Sequence, residues 1–95
     1  MKKELADFII TACKNADTFF QNDGMPEIYE DYKGRGMFGK KTTAIVCDDL
    51  MAVMAAVSLE CYYDTDYDSA DISNILEDIH HLKMDSIGRD SVVIY

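Results

Sequence analysis

Tryptophan is absent from this sequence, proline occurs once and cysteine three times. A single proline among 95 residues, with 48% of them apolar or aromatic, excludes a disordered composition. The three cysteines, Cys13, Cys47 and Cys61, are an odd set with wide spacing and no Cys-x-x-Cys pair, so neither a disulfide framework nor a metal knuckle is supported. Each lies within an apolar pattern and reads as a small buried hydrophobe in a reducing cell. No apolar run approaches the roughly 18 residues that span a bilayer, and Met1-Lys2-Lys3-Glu4 leads into an amphipathic pattern instead of a signal peptide's apolar stretch. The expected location is the cytoplasm, with no membrane contact. The length suits a single domain over residues 1–95.

Positive charge is missing from one region in particular. Between Thr42 and Leu82 there is no lysine or arginine, while nine acidic residues fall there. Residues 1–41 carry seven bases and seven acids; residues 42–95 carry two bases and eleven acids, and so hold the whole net charge of −9. Phosphate contacts need cations, so the second half argues against direct nucleic-acid binding and for a basic protein partner.

Apolar residues recur at three- and four-residue steps from Lys3 to Gln21, which predicts an amphipathic helix stopped by Asn22-Asp23-Gly24 and Pro26. Glu27 to Tyr32 alternates and predicts an edge strand, with Ile28, Glu30 and Tyr32 on one side. Thr42 to Cys47 is β-branched and predicts its hairpin partner across a glycine-rich connection. Asp48-Asp49 offers a cap to a helix from Leu50 to Tyr63, whose apolar residues cover nearly every face. A third helix follows from Ser69 to Leu82, then a turn at Asp85-Ser86-Ile87-Gly88 and a strand from Ser91 to Tyr95. The expected fold is α+β in the order αββααβ, a small three-stranded antiparallel sheet covered on one face by about three helices. The all-round apolar second helix also points to a homodimer.

Two stretches could carry a site. Gly34-Arg35-Gly36-Met37-Phe38-Gly39-Lys40-Lys41 contains the letters of a dinucleotide fingerprint and departs from a Walker A loop at Lys41, but both motifs lead from a strand into a helix and this one leads into a strand. It reads as a hairpin loop, or alternatively as a small-ligand loop whose amides and cations receive a nucleotide or other phosphate. Asp64-Thr65-Asp66-Tyr67-Asp68 opens like a calcium loop but fails at Ser69, Asp71 and Ile75. It reads instead as an acidic connection ending in a helix cap. His80 and His81 sit in the last turn of a helix, where imidazole suits the dipole. No catalytic elbow, metal-ligand spacing or cofactor motif is present, and no enzymatic activity is expected.

The segments Tyr32-Lys33-Gly34-Arg35-Gly36-Met37-Phe38-Gly39 and Asp85-Ser86-Ile87-Gly88-Arg89-Asp90-Ser91-Val92-Val93-Ile94-Tyr95 resemble those of small hypothetical proteins of bacteriophages and prophages. The resemblance implies a mobile-element protein made in a bacterial host's cytoplasm, a class that includes small acidic inhibitors of host defence. It supplies no fold and no catalytic residue. Together with the acidic half, it leads to an expected non-enzymatic interaction protein of anti-CRISPR or anti-restriction type, docking on a basic nucleic-acid-binding surface by imitating DNA. Asp64, Asp66, Asp68, Asp71, Glu77 and Asp78 would attract the partner, with Tyr63 and Tyr67 as aromatic anchors.

Overall fold

The computed structural model of the chain describes residues 1–22, 24–34, 39–63 and 67–95. Three helices, α1 (Lys3–Asn15), α2 (Leu50–Tyr63) and α3 (Ser69–His80), accompany four strands, β1 (Glu27–Tyr32), β2 (Thr42–Cys47), β3 (Met84–Ile87) and β4 (Ser91–Ile94). The strands form one antiparallel sheet in the order β1-β2-β4-β3. The fold class is therefore α+β, as expected, but the sheet has four strands, not three. The segment read as a turn at Asp85-Ser86-Ile87-Gly88 is mostly strand: β3 pairs with β4 along its whole length, and only Gly88, at φ 64°, makes the turn. Four residues with one apolar side chain at each end are too short for alternation to register.

The first helix is also shorter than its periodicity suggests. Ala16, at φ −115° and ψ 42°, leaves the helical region, and Asp17–Phe20 continues as a 3-10 turn. Tightening the chain there buries Phe20 and leaves Phe19 exposed. The stop itself lies where expected: Gly24, at φ 77°, donates its N–H to the Phe20 carbonyl at 3.2 Å.

Leu5, Phe8, Ile9, Ala12 and Cys13 form the buried stripe of α1, which lies on β1 and β2 and receives α2 and α3 on its flanks. Ile45, Cys47 and Ile94 of the sheet join Val53, Ala56, Val57 and Ile79 in this core. A least dimension of 17 Å leaves room for the sheet and one helical layer. The opposite sheet face is not bare. Ala44 and Val93 are fully buried there beneath the rings of Tyr32 and Tyr95.

Tyr32 reaches that face through an irregularity. The β1–β2 register shifts between Tyr29 and Tyr32, and Asp31 takes a positive φ of 63°. Simple alternation puts Tyr32 beside Ile28, which faces the helices; the shift turns it to the other side, beside Tyr29.

Candidate functional site

The predicted acidic set is divided among different structural roles. Asp64 and Asp66 lie outside the described residues. Asp68 is the N-cap of α3, its carboxylate accepting from the Asp71 N–H at 2.8 Å, so one of its oxygens closes the helix end. Asp71 and Glu77 are exposed on α3 and Asp78 is half-buried. The helix turns Ile75 and Ile79 inward, which leaves its carboxylates along the flanks and the outer face. Among the described residues the ion pairs are Lys3 with Asp7 and Lys3 with Glu30, so Asp68, Asp71, Glu77 and Asp78 have no such partner there.

The two aromatic anchors differ. Tyr63 is 71% exposed, and its ring meets that of the neighbouring Tyr62 edge-to-face, at 4.9 Å between ring centroids. Tyr67 instead packs its ring perpendicular to Phe8 of α1 at 5.4 Å. It helps to hold the start of α3 against the first helix, and its exposed edge is what remains for contact.

In the alternative loop, Arg35, Gly36, Met37 and Phe38 lie outside the described residues. Gly34, Gly39, Lys40 and Lys41 are described, and Gly34 has a specific reason to be glycine. A Cβ there would overlap the ring of Tyr95, so the missing side chain admits close packing of the loop on the sheet. Gly39, at φ 82°, makes the turn back into β2.

A polar cluster that sequence reasoning missed lies beside this contact. Tyr32 donates its hydroxyl to Asp85 Oδ2 at 2.8 Å, and Tyr95 donates to Asp85 Oδ1 at 3.1 Å, with the two rings 5.2 Å apart. The three residues come from β1, β3 and the end of β4, and only the strand order brings them together. Beside them a shallow groove of about 270 Å³ is lined by Tyr29, Tyr32, Val46, Ile87 and Val93. At one end of the sheet an open concavity of about 700 Å³ includes Asp48, Asp49, Arg89 and Ser91, and Ser91 donates its hydroxyl to Asp48 at 2.7 Å.

Nucleophilic chemistry has little to draw on in the core. Burial pushes the thiols of Cys13 and Cys47 up to about 11, with the Asp48 and Asp49 charges adding to the effect at Cys47. Both therefore stay protonated and weakly nucleophilic near neutrality. Cys13 and Cys47 are free thiols. Among the described residues, no three His, Cys, Asp or Glu side chains converge to hold a metal ion, and no helix is long and apolar enough to cross a membrane. No family model, curated protein or solved structure matches the chain.

Proposed function

We propose that this protein is a non-enzymatic interaction module that presents the acidic surface around α3 to a basic protein partner. The observation that carries this reading is the state of Asp68, Asp71, Glu77 and Asp78: four carboxylates on one short helix and its cap, with no cation paired to them among the described residues. Carboxylates left unneutralised in this way raise a local negative potential, accelerate encounter with a basic surface and can occupy positions that phosphates take. The concrete form is a phage or mobile-element inhibitor that covers the nucleic-acid-binding groove of a host defence protein. The exposed edge of Tyr67, next to the Asp68 cap, supplies apolar area that charge alone lacks.

The test is capture from a bacterial lysate at low and at high salt, with the Glu77→Lys, Asp78→Lys double variant as comparison. Both substitutions fall in the last turn of α3, where cations suit the helix dipole, so the helix should persist. The expected outcome is a nucleic-acid-binding protein held by the wild type at low salt, released as the Debye length shrinks, and bound at least tenfold more weakly by the variant. Retention of the same proteins by wild type and variant alike would overturn the reading.

A further inference from the structure

α2 is apolar on nearly every face, yet the fold buries only Val53, Ala56 and Val57 of it. Opposite them, Met51, Met54, Ala55, Ser58, Leu59 and Tyr62 are all exposed, Met51 by 77% and Tyr62 by 81%. At 3.6 residues per turn these positions form one continuous stripe along the helix. We infer that this stripe is a self-association surface, on which α2 of a second copy of the chain packs antiparallel across a two-fold axis.

Three observations select a second copy as the occupant. The first is symmetry. Positions 51, 54, 55, 58, 59 and 62 are palindromic about a point midway between residues 56 and 57. An antiparallel partner therefore sets Met51 against Tyr62, Met54 against Leu59 and Ala55 against Ser58. Large side chains meet at the ends, where sulfur and ring pack well, and the two smallest meet at the axis, where the helices must approach. An isologous interface requires this kind of self-complementarity.

The second is charge. Each copy carries −9, so a two-fold contact survives only on a surface that brings no like charges together. The stripe has none. The single acidic residue of α2, Glu60, turns instead to α1 and accepts from Asn15 Nδ2 at 3.0 and 3.1 Å. The one hydroxyl in the centre of the stripe, Ser58 Oγ, already donates to the Met54 carbonyl at 2.9 Å and can be buried without losing a partner.

The third is area. With large side chains of roughly 150–250 Å² each, the exposed parts of Met51, Met54, Leu59, Tyr62 and the adjoining Tyr63 amount to roughly 450–750 Å² per copy. Two copies then bury up to about 900–1,500 Å², which reaches the range of specific interfaces. This dimer does not depend on the acidic reading, since the stripe and the outer carboxylates of α3 are different surfaces.

The test is sedimentation equilibrium of the full chain from micromolar to millimolar concentration, with Ala55→Glu as the disrupting variant. The wild type should approach twice 10.8 kDa, and Ala55→Glu, which sets two unpaired carboxylates at the axis, should raise the dissociation constant more than about 100-fold. Register is read separately in a Cys61→Ser background with a short bis-maleimide. Met51→Cys mixed with Tyr62→Cys should cross-link, and neither should do so alone, because each residue lies about 16 Å along the axis from its own symmetry mate. The Glu77→Lys, Asp78→Lys variant should dimerise like the wild type, which separates this inference from the acidic one. A wild type that stays monomeric at millimolar concentration would overturn the proposal. So would a dimer that shows no 51–62 cross-link, whatever the solubility of Ala55→Glu.

Discussion

Gly34 shows how much one missing side chain decides. Its backbone lies against the ring of Tyr95, whose hydroxyl is tied to Asp85, so Gly34→Ala must push that ring off Val93 and Ala44 or move the loop. The expected cost is about 1–3 kcal/mol, or roughly 5–20 °C in melting temperature for a domain of this size; calorimetry of the variant checks it. The buried thiols give a second residue-level prediction. Cys13 and Cys47 hold their protons up to about 11, whereas the unfolded chain releases them near the ordinary value of 9.0. Their contribution to stability is complete below about pH 9 and is lost as pH rises to about 11, at a slope near 1.4 kcal/mol per pH unit per thiol. Denaturation at pH 8 and at pH 10.5 should show the loss, and Cys13→Ala, Cys47→Ala should flatten this part of the profile.

Among the elements, α2 and α3 are legible in the sequence because their starts are chemically marked. Asp49 accepts from the Ala52 N–H at 3.1 Å and Asp68 from that of Asp71, each cap followed by a helical run. Asp68→Ala should cost about 1 kcal/mol and loosen α3, read as faster amide exchange over residues 69–72. The same variant separates the two roles of that carboxylate: restoring the cap with Asp68→Asn should recover stability while leaving the charge deleted. Elements without such marks are not legible in this way. α1 breaks at Ala16 although its apolar period continues, because burying Phe20 favours a tighter turn over another α-helical one. β3 has four residues and no core-facing apolar run, and it exists because β4 offers it an edge. The face taken by Tyr32 was hidden for a related reason: a positive φ at Asp31 reverses the alternation that any strand pattern assumes.

At the scale of the molecule, the charge of −9 lies almost wholly in residues 42–95, and the described ion pairs involve only Lys3. Self-repulsion among the carboxylates should therefore destabilise the fold at low ionic strength. Raising sodium chloride from about 0.01 to 0.15 M, which shortens the Debye length from roughly 30 to 8 Å, should raise the melting temperature by a few degrees. A fall in melting temperature would mean that attractive pairs dominate instead. The same screening should weaken capture of a basic partner, so salt is expected to stabilise the chain and loosen its contacts together.

Fold class, the spans of α2, β1 and β2, the start of α3 and the one-sided charge were all determined by the sequence itself; α3 ends at His80, with His81 as its C-cap, short of the Leu82 that its apolar period suggests. Each rests on local periodicity, on caps three residues from their targets, or on composition, and none needs a distant neighbour. The gathering of Tyr32, Asp85 and Tyr95, the fourth strand and the bare side of α2 were decided only by the tertiary structure. An apolar helix cannot announce which of its faces will be covered. That depends on α1 taking Val53 and Val57 into the core, a contact between residues about forty positions apart, and the stripe from Met51 to Tyr62 is what the packing leaves over.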